Sequence, residues 1–232
     1  MMLPLQGKYT LLLGHYGSGK TELALALAME QRHSSGGRVA LVDLDMVNPY
    51  FRSAEQKALL EQEGIEVMMP SFALSSVDVP SLPAQIQSVF ESDFDHVVID
   101  VGGDDTGAVA LGRYAAHLAA RREQVVALYV VNPLRPFSDT VEDITALFAM
   151  IESRARIRPD YLVNNANLQE ETTARDLIQA QDLLARVARR LNVPVGLVVG
   201  AQHLRKELPP EMQALYFPLS PVMKPEWLRE DR

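Results

Sequence analysis

The 232-residue chain contains no cysteine. That excludes disulfides, thiolate metal sites, iron–sulfur clusters and a cysteine nucleophile. It has no surplus of basic charge. With 22 Lys and Arg against 30 Asp and Glu, its net charge is −8, a poor footing for electrostatic binding to nucleic acid or to an anionic membrane. It has no long apolar run either. The longest, Val125–Val131, falls far short of the ~20 residues that a membrane-spanning helix needs. Leu11-Leu12-Leu13 near the start lacks the basic flank and small-residue cleavage site of a secretory signal, so a cytoplasmic location is expected. Repeats, low-complexity tracts and long linkers are missing too. His33, His96, His117 and His203 show no metal-ligand spacing.

What is present is a regular alternation. Short runs apolar on both faces (Tyr9–Leu13, Val39–Asp43, Ile65–Met69, His96–Asp100, Val125–Val131, Tyr161–Asn164 and Val195–Val199) read as parallel strands buried between two helix layers. Helical patterns over Lys20–His33, Pro80–Glu91, Ala108–Arg122, Asp139–Glu152 and Thr172–Leu191 separate most of them. In the last, Leu177, Ala180, Leu184, Val187 and Leu191 recur at three- and four-residue steps, too briefly for a coiled coil. The expectation is one doubly wound α/β domain over 1–232, with about seven mainly parallel strands and helices on both faces. Ligands bind such folds at the carboxyl ends of the strands. The proline-dense stretch 209–232 reads as an irregular wrap.

The first strand runs into Gly14-His15-Tyr16-Gly17-Ser18-Gly19-Lys20-Thr21, which fits G-x-x-x-x-G-K-[ST] between a strand and a helix. Glycines let backbone N–H groups turn inward around a phosphate, and the helix start adds its positive dipole end. Lys20 is placed for the β/γ-phosphates and the Thr21 hydroxyl for Mg²⁺. Two further strand tips carry carboxylates: Asp43-Leu44-Asp45, and Asp100 before Val101-Gly102-Gly103. Carboxylates there are suited to holding Mg²⁺ waters or orienting an attacking water. The adjacent pair Asp104-Asp105 reads equally as a solvated turn.

These three segments, with Met46-Val47-Asn48-Pro49 after the second strand, resemble the MinD/ParA branch of the P-loop NTPases. That branch also holds cobyrinate amide synthases, dethiobiotin synthetases and metallochaperone ATPases. The resemblance runs from the first strand to the seventh. It implies ATP and Mg²⁺ as cofactors, with Lys20 and Asp45 as candidate catalytic residues. Thr21, Asp43 and Asp100 would lie around the metal, Gly103 would sense the γ-phosphate, and Asn164 would read the base. Members that hydrolyse ATP as face-to-face dimers usually carry a second lysine after the first glycine. This chain has His15 there, shorter and often neutral at pH 7. A hydrogen bond from His15 to phosphate, or Arg52 or Arg135 in the lysine's place, are the alternatives. The glutamine-hydrolysing domain of the amide synthases needs a cysteine nucleophile and is excluded. Asn164-Asn165-Ala166-Asn167 stands where guanine-specific proteins carry N-K-x-D, and the amide Asn167 in place of the Asp favours adenine.

Tyr50 and Phe51 put large apolar groups beside the expected γ-phosphate, where they either dock a protein partner or second subunit or pack into the core. The C-terminal stretch Glu226–Arg232 is short and mixed in charge and does not read as the basic amphipathic membrane helix that some relatives use. Three functions fit: a slow Mg²⁺-dependent ATPase that switches partner contacts; a ligase or kinase with an acceptor pocket near Arg52, Arg113 or Arg135; and a nucleotide-bound scaffold with negligible turnover.

Overall fold

The computed structural model describes residues 7–45, 54–69 and 84–219. Tyr50 and Phe51, with Asn48, Pro49 and Arg52, lie outside the described residues. Seven of the strands coincide with the apolar runs: β1 (Tyr9–Gly14), β2 (Val39–Asp43), β3 (Ile65–Met68), β4 (His96–Asp100), β5 (Val125–Val131), β6 (Tyr161–Asn164) and β7 (Val195–Gly200). An eighth, β8 (Tyr216–Pro218), follows a short helix over Pro210–Ala214. So the stretch expected from residue 209 to be an irregular wrap holds a helix and a strand as far as Pro218. The reason is local: Pro209-Pro210 starts a helix with Pro at its first position, and Tyr216 and Phe217 are then buried.

The sheet order is β3-β2-β4-β1-β5-β6-β7-β8, and every pairing is parallel. Parallel strands need crossovers, and the helices supply them. They are α1 (Lys20–Ser35), α2 (Ala54–Gln62), α3 (Ala84–Gln87), α4 (Asp105–Gly112), α5 (Ala115–Ala119), α6 (Val141–Ala155), α7 (Ala174–Leu191) and α8 (Pro210–Ala214). The sequence pattern misses α2 and runs α4 and α5 together, although Arg113 and Tyr114 separate them.

Alternate strand residues feed opposite layers. Leu11, Leu13, Val97 and Ile99 join Phe148, Leu184 and Val187 on one face. Leu12, Leu41, Val98 and Leu128 join Leu23, Leu27 and Leu60 on the other. With both faces covered by side chains at or near zero exposure, each buried leucine contributes on the order of 2 kcal/mol. The strand tips are thereby fixed relative to one another.

Candidate functional site

The carboxyl ends of β1, β2 and β4 lie side by side because β4 pairs with both of the others. In that register Asp43 stands directly beside Asp100. Both are buried, at 0% and 2% exposure. Two buried carboxylates on neighbouring strands repel unless a cation or hydrogen bonds offset the charge. The Thr21 hydroxyl, at the start of α1, donates to Asp100 Oδ2 at 2.6 Å. Asp43 Oδ1 accepts from the Asp45 N–H at 2.8 Å. Burial pushes the Asp100 carboxyl up to about 6, although the Lys20 charge and the Thr21 hydrogen bond pull the other way. Its second oxygen, Oδ1, is buried with no hydrogen-bond partner.

Lys20 is the other half of this cluster. It is 6% exposed, and burial lowers its pKa against the opposing charges of Asp100, Asp45 and Asp104. Its ammonium donates to the His15 carbonyl at 3.0 Å, across its own loop. The loop is wound by glycines with positive φ; Gly19, at φ 87°, precedes the first turn of α1. No side chain caps that turn, although Glu22 lies within it, so the N–H groups of the helix start are open toward the loop. By contrast α4, α6 and α7 begin on Asp104, Thr140 and Thr173, each accepting from an N–H of its own helix. Ser18 Oγ is also buried without a partner.

Gly103 lies against the phosphate loop: a Cβ there would come within 2.5 Å of Tyr16 N. Gly102 lies against the Asp45 segment, with a Cβ there 3.4 Å from Asp45 Cγ. The structure therefore brings Lys20, Thr21, Asp43, Asp45, Asp100 and Gly103 around one loop. His15 and Tyr16 are part of that loop. Tyr16 is exposed. His15 has its pKa lowered, first by burial and then by the Lys20 charge, which makes it a poor stand-in for a second lysine's charge.

Asn164 goes elsewhere. Its side chain is fully buried, and its amide donates to Leu177 O and Gln181 Oε1 of α7, at 3.0 Å each. Its oxygen accepts from Ala166 N. The expected base reader thus faces α7. The neighbour Asn165 reaches the phosphate loop, donating to Ser18 O at 2.6 Å, a contact that the sequence flagged only as the second of two adjacent asparagines. The sequence places Asn132 at the same rim, after the fifth strand, but gives it no role. From the end of β5 it donates to Asn167 O and accepts from Asn167 N, tying the post-β5 and post-β6 loops together. Asn167 Oδ1 is itself engaged by Gln169 N at 2.6 Å.

Among the described residues no group of three or more His, Asp or Glu is arranged to hold a metal ion. The donors fit a hydrated Mg²⁺ shared with a phosphate rather than an all-protein cage: one hydroxyl and two strand-end carboxylates, that of Asp100 with one oxygen unpartnered. No helix among the described residues is long and apolar enough to cross a membrane.

No protein-family model and no curated protein matches the chain. Solved structures do. FlhF complexed with GMPPNP and Mg²⁺ is 19% identical with a TM-score of 0.52, covering 86% of this chain and 68% of its own. Cell division protein FtsY from Thermotoga maritima is 19% identical with a TM-score of 0.53, covering 86% and 63%. Chloroplast FtsY from Physcomitrella patens is 18% identical with a TM-score of 0.54, covering 85% and 60%. This chain thus spans about two thirds or less of those chains. At such identity the likeness speaks for fold, and with the glycine-lysine loop at the tip of β1 it yields one conclusion: the chain has the P-loop NTPase fold.

Proposed function

We propose that this protein binds ATP with Mg²⁺, hydrolyses it slowly, and changes its contacts with a protein partner or a second subunit according to the nucleotide held, in the manner of the MinD/ParA branch. The observation that carries the reading is the uncapped start of α1, where buried Lys20 has only a loop carbonyl as its hydrogen-bond acceptor. An incoming triphosphate supplies what the site lacks. Its oxygens accept from the first-turn N–H groups and replace His15 O as the acceptor for Lys20. Thr21 and Asp100 hold the metal's shell, with Asp43 beside them. Mg²⁺, when bound, neutralises charge developing on the phosphate oxygens. Asp45, turned by its N–H bond to Asp43, orients water for in-line attack.

The choice of base rests on Asn167. Guanine offers N–H donors to the acid of N-K-x-D, whereas Asn167 has no charge and its oxygen already serves Gln169 N. Adenine is therefore preferred here, although FlhF has been solved with GTP and with GMPPNP.

Calorimetry with Mg-ATP and Mg-GTP tests this. ATP is expected to bind at least about tenfold more tightly, and Lys20→Ala, with its circular dichroism unchanged, to weaken ATP binding by about a hundredfold or more. Absence of binding to either nucleotide at millimolar concentration ends the proposal. A preference for GTP reverses the base assignment.

A further inference from the structure

Large exposed apolar side chains are few among the described residues, and they are unevenly placed. Of the five, Tyr16, Val109, Phe137 and Leu168 lie on segments leaving the carboxyl ends of β1, β4, β5 and β6; the fifth is Leu59 of α2. Phe137 is the most exposed, at 70%. Its φ is 62°, a left-handed conformation that an aromatic residue rarely adopts and that strains the backbone.

The loop that holds Phe137 this way is firmly built. Asn132 bonds the post-β6 loop and also accepts from Leu134 N. Arg135 N donates to Asn132 O and Ser138 N to Arg135 O, and Ser138 is buried. The Phe137 ring meets His15 of the phosphate loop edge-on, with centroids 6.4 Å apart. A rigid loop thus displays an aromatic ring to solvent, at a conformational cost; it touches the loop that carries exposed Tyr16 and is tied to the loop that carries exposed Leu168.

The charge around this strip says what it fits. Asp139, on the Phe137 loop, and Glu170 and Glu171, on the Leu168 loop, are exposed, and among the described residues none of the three has an ion-pair partner. Within the loops 132–140 and 165–173 Arg135 is the one base, and exposed Arg175 follows in the first turn of α7. A second copy meeting this face through a two-fold axis would bring acid against acid on a chain of net charge −8. We infer that the Phe137 strip is a docking surface for another protein, specifically for a segment carrying an apolar anchor flanked by lysine or arginine. The ring supplies the desolvated contact and the three acids supply steering and register.

The probe is a short amphipathic peptide of leucine and lysine, with its leucine–glutamate counterpart as control, measured by fluorescence anisotropy on the full chain without nucleotide. The lysine peptide is expected to bind at least about tenfold more tightly than the glutamate peptide. Phe137→Ala is expected to cost about tenfold in that affinity, and Leu59→Ala to leave it within about twofold. Neutralising Asp139, Glu170 and Glu171 together to their amides should weaken binding and flatten its salt dependence. Phe137→Gly separates docking from folding: it relieves the left-handed backbone, so the melting temperature should rise while peptide affinity falls as in the alanine variant. Equal binding of both peptides, or full affinity in Phe137→Gly, overturns the inference. So does a dimer of the wild-type chain that Phe137→Ala dissolves, which would assign the face to a second copy.

Discussion

The starts of α1 and α7 are built on opposite plans. Helix α7 is finished before anything binds. Thr173 accepts from Asp176 N, the Asp176 carboxylate accepts from Thr173 N, and that capping box holds the Asp176 pKa below its ordinary value. The strand before it ends in Asn164, whose amide and carbonyl are both spent inside the fold. Helix α1 begins on Gly19 with no capping side chain, and the strand beside it ends in Asp100 with one carboxylate oxygen unpartnered. Buried polar groups are nearly always satisfied in folded proteins. Where one end of a sheet leaves several unsatisfied, a ligand-binding role is the economical explanation. Strand-end polar residues alone therefore do not mark a site; unspent ones do.

The sharpest way to break this contrast is Asp45→Ala. Asp45 is only half-buried, and its backbone, not its carboxylate, makes the bond to Asp43. Removing the carboxylate should slow ATP hydrolysis by about 10²–10⁴ and leave ATP affinity within about threefold, read by steady-state phosphate release beside calorimetry. Hydrolysis at the wild-type rate would move the water-orienting role away from Asp45, toward the segment that Gly103 opens.

Asp100→Asn tests the unspent carboxylate through stability. Folding raises the Asp100 pKa from 3.8 to about 6, chiefly by burial. A carboxyl raised in the folded state contributes fully below its unfolded value and loses that contribution as pH rises through the folded one. The wild type is thus penalised above about pH 6, by up to roughly 3 kcal/mol across the gap. The asparagine variant still accepts from Thr21 and carries no charge to bury. It should therefore be the more stable protein at pH 8, with the advantage shrinking through pH 6 and gone near pH 4, in urea melts at each pH. A pH-independent difference would show that Asp100 is solvated or fully compensated in the protein without nucleotide. The same variant should bind Mg-ATP more weakly, a stability gain at the expense of the site.

The contrast also explains how much could be read beforehand. Seven strands were legible because burial on both faces leaves unbroken apolar runs such as Val125–Val131, and the phosphate loop was legible because its chemistry demands fixed residue types at fixed spacing. Strand β8 was not: three residues among prolines carry no periodicity, and its burial depends on β7 beside it. Nor was the division of labour between Asn164 and Asn165. A strand alternates its side chains, so neighbouring asparagines at a strand end face opposite layers. Which of them meets α7 and which meets the phosphate loop is set by the tertiary packing of α1 and α7.

Asn164→Ala completes the comparison, with the smallest expected effect. If Asn164 is spent as the geometry indicates, its loss leaves the buried Ala166 N–H without an acceptor and Gln181 without its donor. Stranding a buried polar group costs about 1–3 kcal/mol, so the urea midpoint should fall. Binding should be nearly untouched, because the contact to the phosphate loop runs through Asn165 and Ser18. The ratio of ATP to GTP affinity should stay within about threefold of wild type. The reverse outcome, an unchanged midpoint with a collapsed ratio, would make Asn164 the base reader that its place at the strand tip suggested. The fully buried amide would then have to leave α7 when nucleotide binds, and hydrogen exchange in the first turns of α7 would report that release directly.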